Sequence, residues 1–235
     1  MSKDIKITGI ISSSHFAGNS AALLREALEG AKEEGATVTE IFLPKYKMEF
    51  CTGCMKCLAA ACPFEDDFQA LQKIVFESDG VIWSSPTFAA SPNSIMKRFI
   101  ERFGLLGFIA STMGGKYMAG ISTAGSMGAN KVARNLACIA RDSSTFQRGY
   151  VSGALGVGIK GGSIKDNPKA LKKARELGRK LCIDIKKSNP YRFQNVFGRA
   201  VNSMFVKPRF VKVLSKNKDG SMKAAYDGLA ARGLI

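Results

Sequence analysis

Three consecutive stretches decide the fold: Ile5-Lys-Ile-Thr-Gly-Ile-Ile11, Ser12-Ser-Ser-His-Phe-Ala-Gly-Asn-Ser20 and Ala21-Ala-Leu-Leu-Arg-Glu-Ala-Leu28. The first alternates weakly and closes on an apolar pair, the pattern of a buried strand. The second is a small polar loop, and the third reads as a helix. Strand, polar loop and helix in that order aim free backbone N–H groups at a phosphate. The hydroxyls of Ser12, Ser13, Ser14 and Ser20 could add donors. The loop has no P-loop lysine and no G-x-G-x-x-G, which excludes an NTPase and a dinucleotide fingerprint. Taken alone, it also reads as a serine-rich turn with Asn19 or Ser20 as an ordinary N-cap.

Working outward, the same unit repeats. Gly35 closes the first helix, and Thr37–Leu43 supplies a second strand. Asp66-Asp67 opens a helix over 68–78 with first-turn charge of the favourable sign. Gly80–Pro86 is a third strand, followed by Thr87-Phe-Ala-Ala-Ser91, with Pro92 expected in the first turn of a helix to Phe103. Tyr117–Ser122 is a fourth strand, ending in Thr123-Ala-Gly-Ser-Met-Gly128 ahead of a helix to Arg141. Strand 150–157 and helix 168–187 complete the set. This alternation predicts a parallel sheet covered on both faces. The first, third and fourth strands end in Gly/Ser/Thr/Pro-rich loops. In open α/β sheets ligands bind at that edge, so a cofactor pocket is expected there.

One insertion breaks the rhythm. Cys51-Thr-Gly-Cys54-Met-Lys-Cys57-Leu-Ala-Ala-Ala-Cys62, followed by Pro63, holds four of the six cysteines at C-x2-C-x2-C-x4-C spacing. Met1-Ser-Lys-Asp4 runs straight into the first strand and does not read as a secretory signal, so a cytoplasmic chain is expected. Clustered thiols in such a chain point to metal or redox chemistry rather than structural disulfides. Zinc sites usually split their ligands into two pairs across a longer loop. Closely spaced cysteines with a proline after the last lie nearer the iron–sulfur run, here with its final gap one residue longer. The spacing therefore supports a 4Fe-4S site on Cys51, Cys54, Cys57 and Cys62 better than a zinc site. A thiol cluster without metal stays open. Cys138 and Cys182, amid apolar neighbours on helices, are expected in the core.

The 235 residues are ample for one α/β domain with an extension. No apolar run approaches a membrane span. The formal charge is +16, and residues 151–235 hold 19 Lys/Arg against 5 Asp/Glu. A positive field of that kind suits an anionic partner. The expected division is a domain over 1–187, with a cysteine loop at 48–64, and a basic amphipathic extension over 188–235. In the extension Phe193, Val196, Phe197, Ala200, Val201, Met204 and Phe205 recur at helical spacing. Such a stripe packs on the core or on a second subunit. Alternatively it rests on an anionic surface or docks an acidic protein. No nucleic-acid-binding signature accompanies it, which ranks DNA and RNA last.

Ser13-Ser-His-Phe-Ala-Gly-Asn-Ser20, Pro86-Thr-Phe88 with Ser91 and Met96-Lys97, and Thr123-Ala-Gly125 together resemble the three flavin loops of the flavodoxin-like NADPH-dependent FMN reductases. With the cysteine motif, the chain is most similar to the iron–sulfur flavoproteins of that group. The resemblance spans roughly residues 5–185 and implies a flavodoxin-like, doubly wound five-stranded parallel sheet, FMN and a homodimer or homotetramer. It implies that Ser13, His15, Asn19 and Ser20 hold the FMN phosphate. Pro86, Thr87 and Phe88 would meet the isoalloxazine, with Thr123, Ala124 and Gly125 on its other edge. His15 stands where the family commonly has Arg, which removes a permanent bidentate phosphate partner.

The expected function is electron transfer between a reduced donor, ferredoxin or NAD(P)H, and an acceptor through FMN and a 4Fe-4S cluster. Two rivals predict different cofactors: a cluster-free NAD(P)H-dependent FMN or quinone reductase, and a zinc-stapled, non-catalytic binding protein working through its basic tail.

Overall fold

The computed structural model describes residues 4–142 and 145–235, without the side chains of Leu105, Leu106, Phe108 and Asp142. In chain order the elements are β1 (Lys6–Ile11), α1 (Asn19–Glu33), β2 (Thr37–Phe42), α2 (Phe68–Glu77), β3 (Gly80–Phe88), β4 (Ser91–Pro92) and α3 (Ser94–Ile109). There follow β5 (Tyr117–Ala124), α4 (Ala129–Ala137), α5 (Ile139–Asp142), β6 (Tyr150–Gly158), α6 (Pro168–Lys186), α7 (Val196–Val201), α8 (Lys207–Lys216) and α9 (Lys223–Ala230).

Five strands pair in parallel in the order β2-β1-β3-β5-β6, with β4 folding back antiparallel on the end of β3. Ile10 of β1 lies between Ile41 of β2 and Trp83 of β3, which sets the register at the centre of the sheet. Successive side chains alternate between two cores. Ile7, Ile11, Ile82, Ala119 and Ile121 face α1 and α6. Ile10, Val81, Trp83 and Met118 face α2, α3 and α4. In the second core Trp83, Phe68, Phe99 and Phe103 meet mostly edge to face, the arrangement that ring quadrupoles favour. That cluster anchors α3, which runs from the end of β4 to the cysteine loop.

On the other face α1 and α6 touch backbone to backbone. A Cβ on Gly178 would lie 1.7 Å from the Ala27 carbonyl oxygen, and one on Gly30 would lie 2.0 Å from that of Arg175. Only glycine permits this approach. Arg175 bridges Glu26 and Glu33 along the rim of the pair.

Two sequence expectations need correction here. Pro92 lies in β4, not in a first helical turn. The helix begins at Ser94, with Asn93 Oδ1 accepting the Met96 N–H (3.1 Å) as its cap, and it continues past Phe103 to Ile109. The helix expected up to Arg141 breaks at Cys138. Cys182 is buried as expected, whereas Cys138 is half-buried. The apolar run 104–113, which the sequence offers as a cover for the flavin or as an oligomer interface, sends Ile109 and Ala110 into a third core and Met113 into the second. The rest of that run falls partly on side chains outside the described set.

After α6 the chain is tied down by a polar knot. Asp184 accepts from Lys180 (2.8 Å), from Asn189 (3.2 Å) and from the Tyr191 hydroxyl. The side chain of Gln194 pairs with both the N–H and the C=O of Val151 (3.0 and 2.7 Å), covering part of the β6 edge. Then α7 and α8 form one helix through a wide π-helical turn at Asn202–Val206. Pro208 follows one residue on, at the second position of α8. It has no N–H to donate and its ring would clash with the preceding turn, strain that a π turn absorbs.

The tail stripe does not pack on its own chain. Phe193 is 92% exposed, Phe197 83% and Met204 69%. The polar side turns inward instead, where Asn202 Nδ2 donates to the Thr145 carbonyl (2.6 Å). The reason is that the helices described above already cover both sheet faces. Further on, Leu214, Ala225 and Leu229 are fully buried against Leu58 of the cysteine loop, against Ile109 of α3 and against Ala110 just after it.

Candidate functional site

The sheet carries the ten residues singled out for a flavin to one edge, at the carboxyl ends of its three neighbouring central strands. After β1, Ser13 is buried, and its Oγ accepts the His15 N–H at 3.2 Å. His15 is exposed. Gly18 opens α1 with no side-chain cap and no acidic residue in the first turn, which leaves first-turn N–H groups to an anion. Ser20 is buried and its carbonyl accepts from Ser84 Oγ (2.8 Å). Asn19 is half-buried, with Oδ1 taken by the Ile164 N–H (2.9 Å), so only its amide N–H groups remain to give. Phe16 is clamped by Phe42, edge to face at 5.1 Å, and by Arg25, 4.2 Å above its ring. Arg25 is in turn committed to Glu40.

At the end of β3, Pro86 and Thr87 are half-buried and Phe88 is 64% exposed. Ala89 and Ala90 both take left-handed φ values (+46° and +57°), making the two-residue turn into β4. Alanine in that region is strained by about 1–2 kcal/mol per residue. Strain of this kind collects where a loop is held for a purpose. Thr87 Oγ1 meets Ser122 Oγ (2.8 Å), and Ser122 Oγ donates to the Ser85 carbonyl (2.7 Å), which locks the second loop to the third. Thr123 and Ala124 are buried and Gly125 is exposed. Backbone N–H groups of Ile159 and Lys160 continue the pairing beyond β5 at the Ala124 and Gly125 carbonyls (2.8 and 2.9 Å).

Sequence reasoning missed Asn93. Its Nδ2 donates to the Ser12 carbonyl (2.7 Å), while its backbone N–H donates to Ser85 Oγ (3.1 Å). It therefore joins the first two loops. An asparagine directly before an apolar helical run is a cap signal, and the adjacent proline masked it.

The cysteine stretch forms the wall of a cleft of about 380 Å³. Cys51, Cys54, Cys57 and Cys62 all line it, with Met55, Phe64, Glu101, Arg102 and Gly104. Left-handed residues at Gly53 (φ +67°) and Met55 (φ +58°) shape the loop around Cys54. The Lys56 backbone N–H holds the Cys54 thiol below its usual range, with Thr52 assisting. Burial pushes Cys57 up, and the nearness of Cys62, Cys51 and Cys54 adds to it. Among the described residues no three Cys, His, Asp or Glu side chains form a ready site for a metal ion. A soft, all-sulfur donor set fits iron–sulfur or zinc chemistry. A zinc site closes tightly on a single ion, whereas this cleft leaves room among its thiols. Arg102, also missed from the sequence, donates to Cys62 Sγ (3.4 Å) and to both oxygens of Asp66. Its signal was a cation between Phe99 and Phe103 on an apolar helix.

Such an arrangement can bind an anionic planar cofactor at the sheet edge and a thiolate-bound group beside α3. A family model described as NADPH-dependent FMN reductase matches residues 5–152. An iron-sulfur flavoprotein of Archaeoglobus fulgidus is 30% identical over 233 residues, 98% of this chain and 100% of its own. A solved flavone reductase superposes with a TM-score of 0.65 at 21% identity, covering 81% of this chain and 66% of its own. A flavodoxin from the domain Archaea gives 0.54 at 17% identity, over 77% of this chain and 99% of its own. At those two identities the likeness is one of fold, the doubly wound flavodoxin-like sheet. Among the described residues no helix is long and apolar enough to cross a membrane.

Proposed function

The chain belongs to the NADPH-dependent FMN reductase family, and on that premise we propose that this flavin-dependent oxidoreductase is an iron–sulfur flavoprotein. FMN would lie at the β1/β3/β5 edge, with its phosphate on Ser13, His15, Asn19, Ser20 and the first turn of α1. Pro86, Thr87, Phe88, Thr123, Ala124 and Gly125 would border its ring. Cys51, Cys54, Cys57 and Cys62 would hold a 4Fe-4S cluster. Bound there, the flavin supplies hydride and single-electron transfer and the cluster supplies one-electron relay.

This chain's own residues do the holding. The hydroxyl ladder Thr87–Ser122–Ser85 and the amide of Asn93 keep the three loops in fixed register. The uncapped start of α1 offers donors to a phosphate without a competing acid. Arg102 pairs with Asp66 beside the cleft that the thiols line. Electrons would come from ferredoxin or NAD(P)H. The exposed stripe at 193–205 supports a homo-oligomer, and residues 188–235 would form an extension to a domain over 1–187. An anionic surface or an acidic carrier protein is the other occupant that the basic tail suits. Such a protein would work in the cytoplasm.

The observation that carries the reading is four thiols lining one cleft, in a chain matched end to end by an iron-sulfur flavoprotein. The test is an absorption spectrum of protein purified without oxygen, paired with iron, sulfide, zinc and FMN analysis. About four irons per chain with FMN is the expected result. FMN alone would leave a cluster-free reductase, and zinc without flavin would leave the stapled binding protein. Cys54→Ala is expected to lose the iron and keep FMN, because the cleft and the flavin loops are built from different segments.

A further inference from the structure

Arg102 is a buried charge on a helix that has no need of one. Phe99 and Phe103 flank it in the core, and its side chain is 1% exposed. Its Nη1 donates to the Glu49 carbonyl (3.0 Å) and to Asp66 Oδ2 (2.5 Å). Its Nη2 donates to Asp66 Oδ1 (3.1 Å) and to Cys62 Sγ (3.4 Å). Glu49 precedes the cysteine stretch and Asp66 follows it, so one planar guanidinium grips both necks of the loop and one of its four sulfurs. Lysine could not make that fork. The rings of Phe64 and Phe68 lie 5.1 and 4.5 Å from the guanidinium carbon. Its Nε–H is buried with no acceptor among the described residues, on a residue that lines the cleft. Glu101, the other charged residue lining the cleft among the described residues, points to solvent and pairs with Lys97 (3.3 Å).

Four thiolates gather negative charge into a small space, and each further electron adds to it. A cation held against one sulfur offsets that charge, more so where water is excluded. We propose that Arg102 is the positioning residue of the cysteine site, fixing the loop around the bound group and raising that group's reduction potential through Cys62. The proposal rests on the reading that the four cysteines hold an iron–sulfur cluster. Hydrogen bonds to the sulfurs and local charge are the protein's means of setting such a potential.

An arginine guanidinium keeps its proton at any working pH, so the group beside Cys62 is a permanent cation.

The experiment is an anaerobic redox titration of the full chain, following the cluster signal in wild type, Arg102→Lys and Arg102→Gln. Iron, sulfide and FMN content and the melting temperature are measured alongside. The expected result is a Gln variant with wild-type FMN and iron whose one-electron equilibrium shifts at least tenfold toward the oxidised state, about 59 mV. The Lys variant should fall between the two. A Gln variant with full iron and an unchanged potential overturns the proposal. Should the Gln variant keep FMN and lose iron, recovery of iron in the Lys variant supports the positioning role. Absence of iron in both variants overturns the role assigned to the charge. Wild-type protein holding FMN but no iron would remove the reading beneath the proposal, and the proposal with it.

Discussion

Asn93 joins three backbone segments with a single amide. It donates to the Ser12 carbonyl, accepts from Met96 at the start of α3, and exchanges hydrogen bonds with Ser85. In Asn93→Ala the helix loses its cap and the Ser12 carbonyl loses its donor, a cost of about 1–2 kcal/mol. The expected outcome is a lower melting temperature and weaker FMN retention with an unchanged far-UV spectrum. Asp184 belongs at the same scale. Burial pushes its carboxyl up, but the hydrogen bonds from Lys180 and Tyr191 outweigh burial and hold it below the usual range. A lowered folded pKa gives stability that is full above the unfolded value of about 3.9. That stability drains as pH falls through the folded value. Asp184→Asn should therefore melt below wild type at pH 7, and the gap should close as the two are compared at about pH 5, 4 and 3. A gap that stayed constant would show that the carboxylate does not carry the knot. Asn93 could have been read from its place before an apolar helix. The pairing of Arg102 with Asp66 could not, because it crosses 36 residues and exists only once α3 lies on the cysteine loop.

Among the elements, the parallel strands and their helices were legible because apolar runs, small polar loops and amphipathic helices alternate, broken once by the cysteine stretch. The two-residue strand at Ser91–Pro92 was not. Proline fits an edge strand as well as a first helical turn, and the preceding pair Ala89-Ala90 carries no turn signature although both adopt left-handed backbone. The closeness of α1 and α6 was hidden for another reason: Gly30 and Gly178 look like weak points in two helices until the helices are brought together. Gly178→Ala tests that contact. Its new methyl would meet the Ala27 carbonyl, and overpacking of this kind costs roughly 1–3 kcal/mol. Urea unfolding should show a lower midpoint with an unchanged slope. A midpoint equal to wild type would mean that the two helices can part at no cost.

For the whole molecule, the tail is the part where pattern and placement diverged. Its stripe was legible at helical spacing, but the face it seeks was not, since amphipathicity does not say which chain supplies the partner. Here the apolar side looks outward. Exposed apolar patches of this kind mark interaction surfaces. The Phe197→Asp/Phe205→Asp pair is expected to reduce the oligomer measured by analytical ultracentrifugation by at least one step, with FMN content unchanged. An identical sedimentation profile in variant and wild type would remove the stripe from the interface. At the far end of the same tail, Leu214 and Leu229 lie under Leu58, so the extension also supports the floor of the cysteine loop.

The wide turn at Asn202–Val206 makes those two duties compatible. An α-helix advances about 100° per residue, and a π turn takes roughly one residue more to complete its circle. The segment beyond it is therefore out of phase with the segment before it. With the turn in place, one continuous rod shows its apolar side to the outside world over 196–205 and to its own core at Leu214. Were the rod a plain α-helix, Leu214 would sit about a quarter turn from the centre of the outer stripe. The extra residue of the π turn carries it on to about the opposite side, beneath the thiols.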